Sequence, residues 1–156
     1  MKELKARVVL NDLKKALNEL RDDLPEQDWR IKWLGICTLA RSVGYVLEKI
    51  DAKNFGIEDF VKNQWITIKK EDIFSQFIEK NRNLILKQYE FSMQREPVGI
   101  GGIITQAGDR LVTTQDFNVL KGTFFKDSLP KESMEEVCQW WDKKLNTVEE
   151  FIKNKN

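Results

Sequence analysis

The chain contains no histidine. That removes the commonest general base and the commonest metal ligand. Ser-His-Asp and Cys-His catalysis are excluded, and so are the Glu-x-x-His repeats of di-iron bundles. Cysteine is nearly absent too. Cys37 and Cys138 sit in separate helical-looking segments and read as buried small hydrophobes, not as a disulfide or a metal site. No apolar run approaches membrane-spanning length. The opening "MKELKARVVLNDLKK" lacks the apolar core and small-residue cleavage site of a signal peptide, so the expected location is the cytoplasm, with no membrane partner. Charge of one sign is missing as well. The 26 Lys+Arg nearly cancel the 25 Asp+Glu, and a net charge of +1 creates no global field for nucleic acid. A nucleic-acid site would have to be a local patch.

What is present suits a folded domain. With 156 residues, 41% hydrophobic and 33% charged, the chain can bury a core without staples and is expected to form one domain over 1–156. Leu10, Leu13, Leu17, Leu20 and Leu24 recur at helical spacing and predict a first helix over about residues 3–24. Pro25 ends it or opens the next helix. Trp29, Trp33, Ile36, Ala40, Val43, Leu47 and Ile50 predict a second, with Asp28 as N-cap and "AKNFG" as the loop after it. Ile57, Phe60, Val61, Trp65 and Ile68 suggest a short third helix. Phe74, Phe77, Ile78, Leu84 and Ile85 line a fourth over about 72–91. Pro130 suits the first turn of a last helix, which carries Met134, Val137, Cys138, Trp141, Leu145, Val148 and Ile152 on one face.

Between Pro97 and Lys126 the character changes to glycine and β-branched residues. "GIIT" and "RLVTT", joined by "QAGD", read as a β-hairpin, with a further extended piece at Val119 to Phe125. "GIGGIITQAG" lacks the Gly-Lys-Ser/Thr ending of a phosphate loop and fits the hairpin better. The expected fold is mainly α: a bundle of four to five helices with a small β-hairpin insertion at about 97–126.

The segment "EKNRNLILKQYEF", Glu79 to Phe91, concentrates functional groups. At about 100° per residue, Arg82, Asn83, Lys87 and Tyr89 fall on the face turned from the core. Leu86 falls among them, and an apolar residue in a polar field can mark contact with another chain. The plain alternative is a solvated helix face with local pairs such as Glu79 with Arg82. Elsewhere, most of the five tryptophans fall on core-facing positions. Trp140 lies off its helix stripe and is the candidate for a surface or interface tryptophan. Adjacent acidic pairs such as Glu135-Glu136 diverge on a helix and read as solvated faces. No cofactor motif is visible.

"RNLILKQY" resembles the motif of HEPN-domain proteins: Arg, often Asn, then His after four intervening residues, and Tyr two places on. Arg82 and Asn83 fill the first two places and Tyr89 the last. Lys87 stands where the histidine would be. "ARSVGYVLEKID" is similar to the second helix of small bacterial HEPN-like proteins. The resemblance spans roughly residues 1–93 and the final helix, and leaves the glycine-rich insertion outside. It implies a helical bundle, a homodimer and RNA-directed chemistry without metal. In the toxin–antitoxin arrangement of the family it also implies a nucleotidyltransferase-type antitoxin that modifies the tyrosine, here Tyr89. The residues support part of this. Arg82 can grip phosphate bidentately and Asn83 can donate to the same oxygens. Lys87, with an ordinary pKa of about 10.4, carries charge at pH 7 and has no lone pair to accept a proton. The expectation is a degenerate HEPN-like module associated with RNA or phosphate, without efficient nuclease activity, dimerising near Leu86. The alternatives are a helical dimerisation protein with no RNA role, and a metal-independent endoribonuclease that uses Lys87 differently.

Overall fold

The computed structural model describes residues 2–122 and 124–155. They form a mainly helical structure with a two-stranded antiparallel hairpin. Helix α1 spans Lys5–Asn18 and α2 Glu26–Val46. A π-helical turn, Leu47–Asp51, runs on from α2 into the short α3, Ala52–Asn54. Helix α4 is Glu58–Ile68. A second π-helical stretch, Ile73–Glu79, continues as α5, Lys80–Gln88. Strands β1, Met93–Ile104, and β2, Arg110–Leu120, follow, and α6 spans Pro130–Lys155.

Helix α1 buries Leu10, Leu13 and Leu17 against α2 and α6 but stops well short of residue 24. The Glu19 N–H closes the last turn on Lys15 and Leu17 carbonyls, and the turn-forming Asp22-Asp23 precedes Pro25, which disfavours helix at Leu24. Leu20 is still buried, so the leucine spacing correctly marks the core but overstates the helix. The start of α1 has no local cap. Its Lys5 and Ala6 N–H groups donate instead to Oδ1 and Oδ2 of Asp51, at 2.9 and 2.8 Å. A fully buried carboxylate from the distant π turn thus satisfies helix donors that would otherwise be orphaned.

The second helix opens at Pro25, not at Asp28, which lies inside the first turn beside Glu26. There both acids complement the helix dipole. Trp29, Trp33, Ile36, Ala40, Val43 and Leu47 are buried as their spacing requires. Ile50 is not. The π turn adds one residue to the step, so Asp51 takes the inward place after Leu47. The expected loop after Asp51 begins later, because Ala52–Asn54 is still helical. Gly44 lets two rings onto the bare α2 backbone: a β-carbon there would lie 2.5 Å from the Trp65 ring and 2.8 Å from Trp141. The Trp141 Nε1–H donates to the Ala40 carbonyl at 2.9 Å, holding α6 against α2.

Helix α6 starts at Pro130, where a missing N–H costs nothing. Arg7 of α1 fastens it through Asp142 at 2.6 Å and Glu149 at 3.0 Å, with Lys14 also on Asp142 at 2.6 Å. Burial opposes the Arg7 charge, but Glu149 and Asp142 outweigh it and raise its pKa. Cys37 and Cys138 are free and buried.

The hairpin is longer than the sequence suggests. β1 begins at Met93, ahead of Pro97, and pairs with β2 from Met93↔Leu120 to Ile104↔Arg110, with an irregularity between Gly99 and Gly101. Thr105 closes the turn: its N–H donates to the Asp109 carbonyl, and Gly108, at φ 86°, donates to the Thr105 carbonyl. Of the extended piece expected from Val119 to Phe125, only Val119 and Leu120 are strand among the described residues, and Thr123 lies outside them. Val119 and Leu120 finish β2, and the chain then turns, with Asp127 donating to the Leu120 carbonyl and Phe125 at φ 56°. No helix is long and apolar enough to cross a membrane, among the described residues.

Candidate functional site

Helix α5 carries Arg82 and Asn83 side by side. Arg82 is half-buried, and its Nη1 donates to the Asn83 side-chain oxygen at 2.9 Å. Asn81, one residue earlier, is buried and donates to the Phe77 carbonyl, so it serves the helix and not the site. The local pair of Glu79 with Arg82 does not form. Glu79 lies instead 3.9 Å from Arg41 of α2.

Arg41 is the residue that sequence reasoning missed. Its guanidinium lies 5.2 Å from the Phe74 ring centre and 5.5 Å from that of Trp65, an arrangement that favours a cation. Burial lowers its pKa; Glu79 opposes that effect, and the charge of Arg82 adds to it. Arg41 Nη1 is buried without a hydrogen-bond partner. Two guanidinium groups from neighbouring helices therefore feel each other, with Glu79 as the one carboxylate in ion-pair range of either among the described residues. Such a patch lowers the cost of placing an anion beside it. The available sequence signal was a cation adjoining the buried stripe of α2, between small Ala40 and Gly44.

The other motif residues stand apart from this pair. Lys87, Leu86 and Tyr89 are exposed, Leu86 at 52% and Tyr89 at 60%. Among the described residues, no hydrogen bond or ion pair ties Lys87 or Tyr89 to Arg82. Tyr89 is not on the helix at all. Helix α5 ends at Gln88, and Tyr89 caps it in the left-handed region at φ 53°, donating its N–H to Ile85. That conformation is uncommon outside glycine and asparagine. A helical angle therefore does not describe where its ring points; the ring meets Phe91 edge-on at 5.2 Å.

Trp140 is also not free for a partner. Its Nε1–H donates to Glu71 at 2.6 Å, its ring packs against Trp141, and Lys144 both lies over that ring and pairs with Glu71. A cleft of 250 Å³ lies beside Trp29 and the start of α6, and a shallow one of 330 Å³ between Phe91 and Lys121. Neither includes Arg41, Arg82, Lys87 or Tyr89. No family model, curated protein or solved structure matches the chain.

Proposed function

We propose that the Arg41–Arg82 patch is the phosphate-binding part of a degenerate HEPN-like module, associated with RNA or a phosphate ligand and without efficient nuclease activity. The observation that carries this reading is the pairing of two guanidinium groups on neighbouring helices, Arg41 and Arg82, with Glu79 as the one carboxylate in ion-pair range of either among the described residues, and with Arg82 held by Asn83. Lys87 adds positive charge nearby in the chain but offers no base at neutral pH. The reading takes the helices as a HEPN-like bundle of four or five, working in the cytoplasm as a homodimer with Leu86 near the two-fold axis. In a toxin–antitoxin or defence setting, exposed Tyr89 is the group that a nucleotidyltransferase-type antitoxin would modify.

Binding of a single-stranded RNA, followed across a salt series, tests the reading. Arg82→Ala is expected to weaken binding and to reduce the salt slope by about one, and Arg41→Lys to weaken it with little change in slope. Unchanged affinity in Arg82→Ala would remove the phosphate site. The second reading, a dimerisation protein with no RNA role, rests on Leu86 alone, and RNA binding no stronger than that of an unrelated neutral protein would favour it. Rapid metal-free cleavage that Lys87→Ala abolishes would replace both with an endoribonuclease. In the degenerate reading only Lys87→His, which restores the family's base, gains cleavage.

A further inference from the structure

The hairpin has two edges, and the sequence treats them differently. β1 carries Pro97, which has no N–H to offer, and the irregularity between Gly99 and Gly101. Both features spoil an edge for further pairing. β2 between Leu111 and Gln115 contains no proline, glycine or charge, and its residues there are exposed. An isolated two-stranded ribbon is marginal in water, and a third strand is the usual remedy.

The backbone directions of β2 follow from its ends. Asp109 accepts a hydrogen bond from Thr105, across the hairpin, and Lys121 donates to Ser92, again on the β1 side. Leu120 donates the other way, to Ser128. Successive residues of a strand alternate in this respect. Arg110, Val112, Thr114 and Asp116 therefore aim their N–H and C=O groups at the open edge.

We infer that β2 pairs antiparallel with β2 of a second copy, about a two-fold axis at Thr113, to form a four-stranded sheet. In this register the outward groups meet. Val112 lies opposite Thr114 of the partner subunit, and Arg110 opposite Asp116 of the partner subunit, once on each side of the axis. Within the chain Arg110 faces Ile104 and Asp116 faces Pro97. Neither has an ion-pair partner among the described residues. Moving the axis to Val112 or Thr114 would still join outward groups, but Arg110 would then face threonine or asparagine and both ion pairs would be lost. Charge thus selects one register. A membrane is the weaker occupant for the same tip, because Arg95 and Arg110 are outnumbered by Glu96, Asp109 and Asp116, which gives anionic lipid nothing to attract. The interface is separate from the α5 patch and does not depend on its function.

Sedimentation of the full chain over a concentration series tests the pairing. Arg110→Asp and Asp116→Arg each set like charges across the axis and should weaken self-association about tenfold, whereas the double exchange restores opposite charges and should return it to within about threefold of wild type. A role inside one hairpin would show no such rescue, since the two residues do not touch. Thr114→Pro removes an outward N–H, leaves the β1 ladder intact and should abolish the pairing. Leu86→Asp should leave it unchanged. Circular dichroism confirms that each variant is folded. The inference is overturned by a wild type of single-chain mass at every concentration, by single exchanges without effect, or by a double exchange as weak as the singles. It is also overturned if Leu86→Asp alone abolishes all association, an outcome that would leave the α5 interface standing. Binding of monomer to phosphatidylglycerol vesicles through the tip would equally overturn it.

Discussion

Helix α6 and the β-hairpin are both rich in apolar residues, yet they use them in opposite ways. Along α6, Met134, Val137, Trp141, Leu145, Val148 and Ile152 are all buried against the other helices. Along the hairpin, only the base is held: Asn118, Val119 and Leu120 are buried, while Ile103, Leu111 and Val112 are exposed and Ile104 is 77% exposed. The apolar share does not distinguish the two, although glycine and charge do. What differs is whether the backbone period delivers the apolar groups to a surface that is there to receive them. In α6 the 3.6-residue stripe meets α1 and α2. In the hairpin the same chemistry extends past the last contact with the body. Apolar groups that do not serve folding are groups available for association.

That contrast implies that body and tip are energetically uncoupled, with global stability residing in the helices. The largest effect should come from Trp141→Ala. It removes a fully buried ring that covers the Gly44 backbone, packs on Phe74 and anchors to the Ala40 carbonyl. The expected loss is about 3–5 kcal/mol, read from the urea midpoint. A loss below about 1 kcal/mol would mean that the α2–α6 contact is not where the stability lies.

Asp51→Ala should come next, at about 2–3 kcal/mol, because it strips two helix donors of their acceptors and leaves the buried Ala6 N–H orphaned, the Lys5 N–H being only part-buried. Asp51→Asn keeps a carbonyl oxygen for one of them and should recover part of the loss. An equal loss in both variants would show that the charge, not the acceptor count, is what α1 requires.

Much of the body was legible in the sequence and some was not, for a physical reason. The buried faces of α2, α4 and α6 are periodic, so spacing alone locates them. Features that depend on a residue far away leave no local trace. Asp51 caps a helix 46 positions earlier, and Arg41 claims Glu79 from the expected partner Arg82. The π turn that exposes Ile50 and the left-handed Tyr89 break the helical count in the middle of segments that otherwise obey it. At the motif, Arg82 with Asn83 was readable because they are adjacent, whereas placing Tyr89 on the same face assumed a helix that ends one residue too soon.

The buried thiols give a smaller and pH-dependent effect. Burial pushes the Cys138 thiol up to about 11, and Cys37 higher still. Both folded values lie above the ordinary thiol value of about 8.5, so their contribution to stability is complete below that pH and is lost as pH rises toward 11. A thiolate-specific reagent at pH 8 should therefore label neither cysteine quickly in the folded chain and both in urea. Fast labelling of Cys37 would show that the body opens locally, and the division between rigid body and independent tip would have to be redrawn.

The smallest effect is expected at the tip, and it bears most directly on the contrast. Ile104→Ser exchanges a side chain that is already mostly in water, at a strand end whose cross-strand neighbour is Arg110. In the monomer there is little apolar burial to lose and no cavity to create, so the stability change should stay within about 0.5 kcal/mol. The hairpin ladder, the Thr105 turn and the buried base at Val119 and Leu120 are untouched by the exchange. Two measurements then separate folding from association. If the urea midpoint at low protein concentration is unchanged, the tip contributes nothing to the stability of the single chain, and any concentration dependence of the midpoint reports on the assembly alone. If the low-concentration midpoint falls by more than about 1 kcal/mol, the tip packs on its own body, and the apolar groups of the hairpin belong to the fold in the same sense as those of α6.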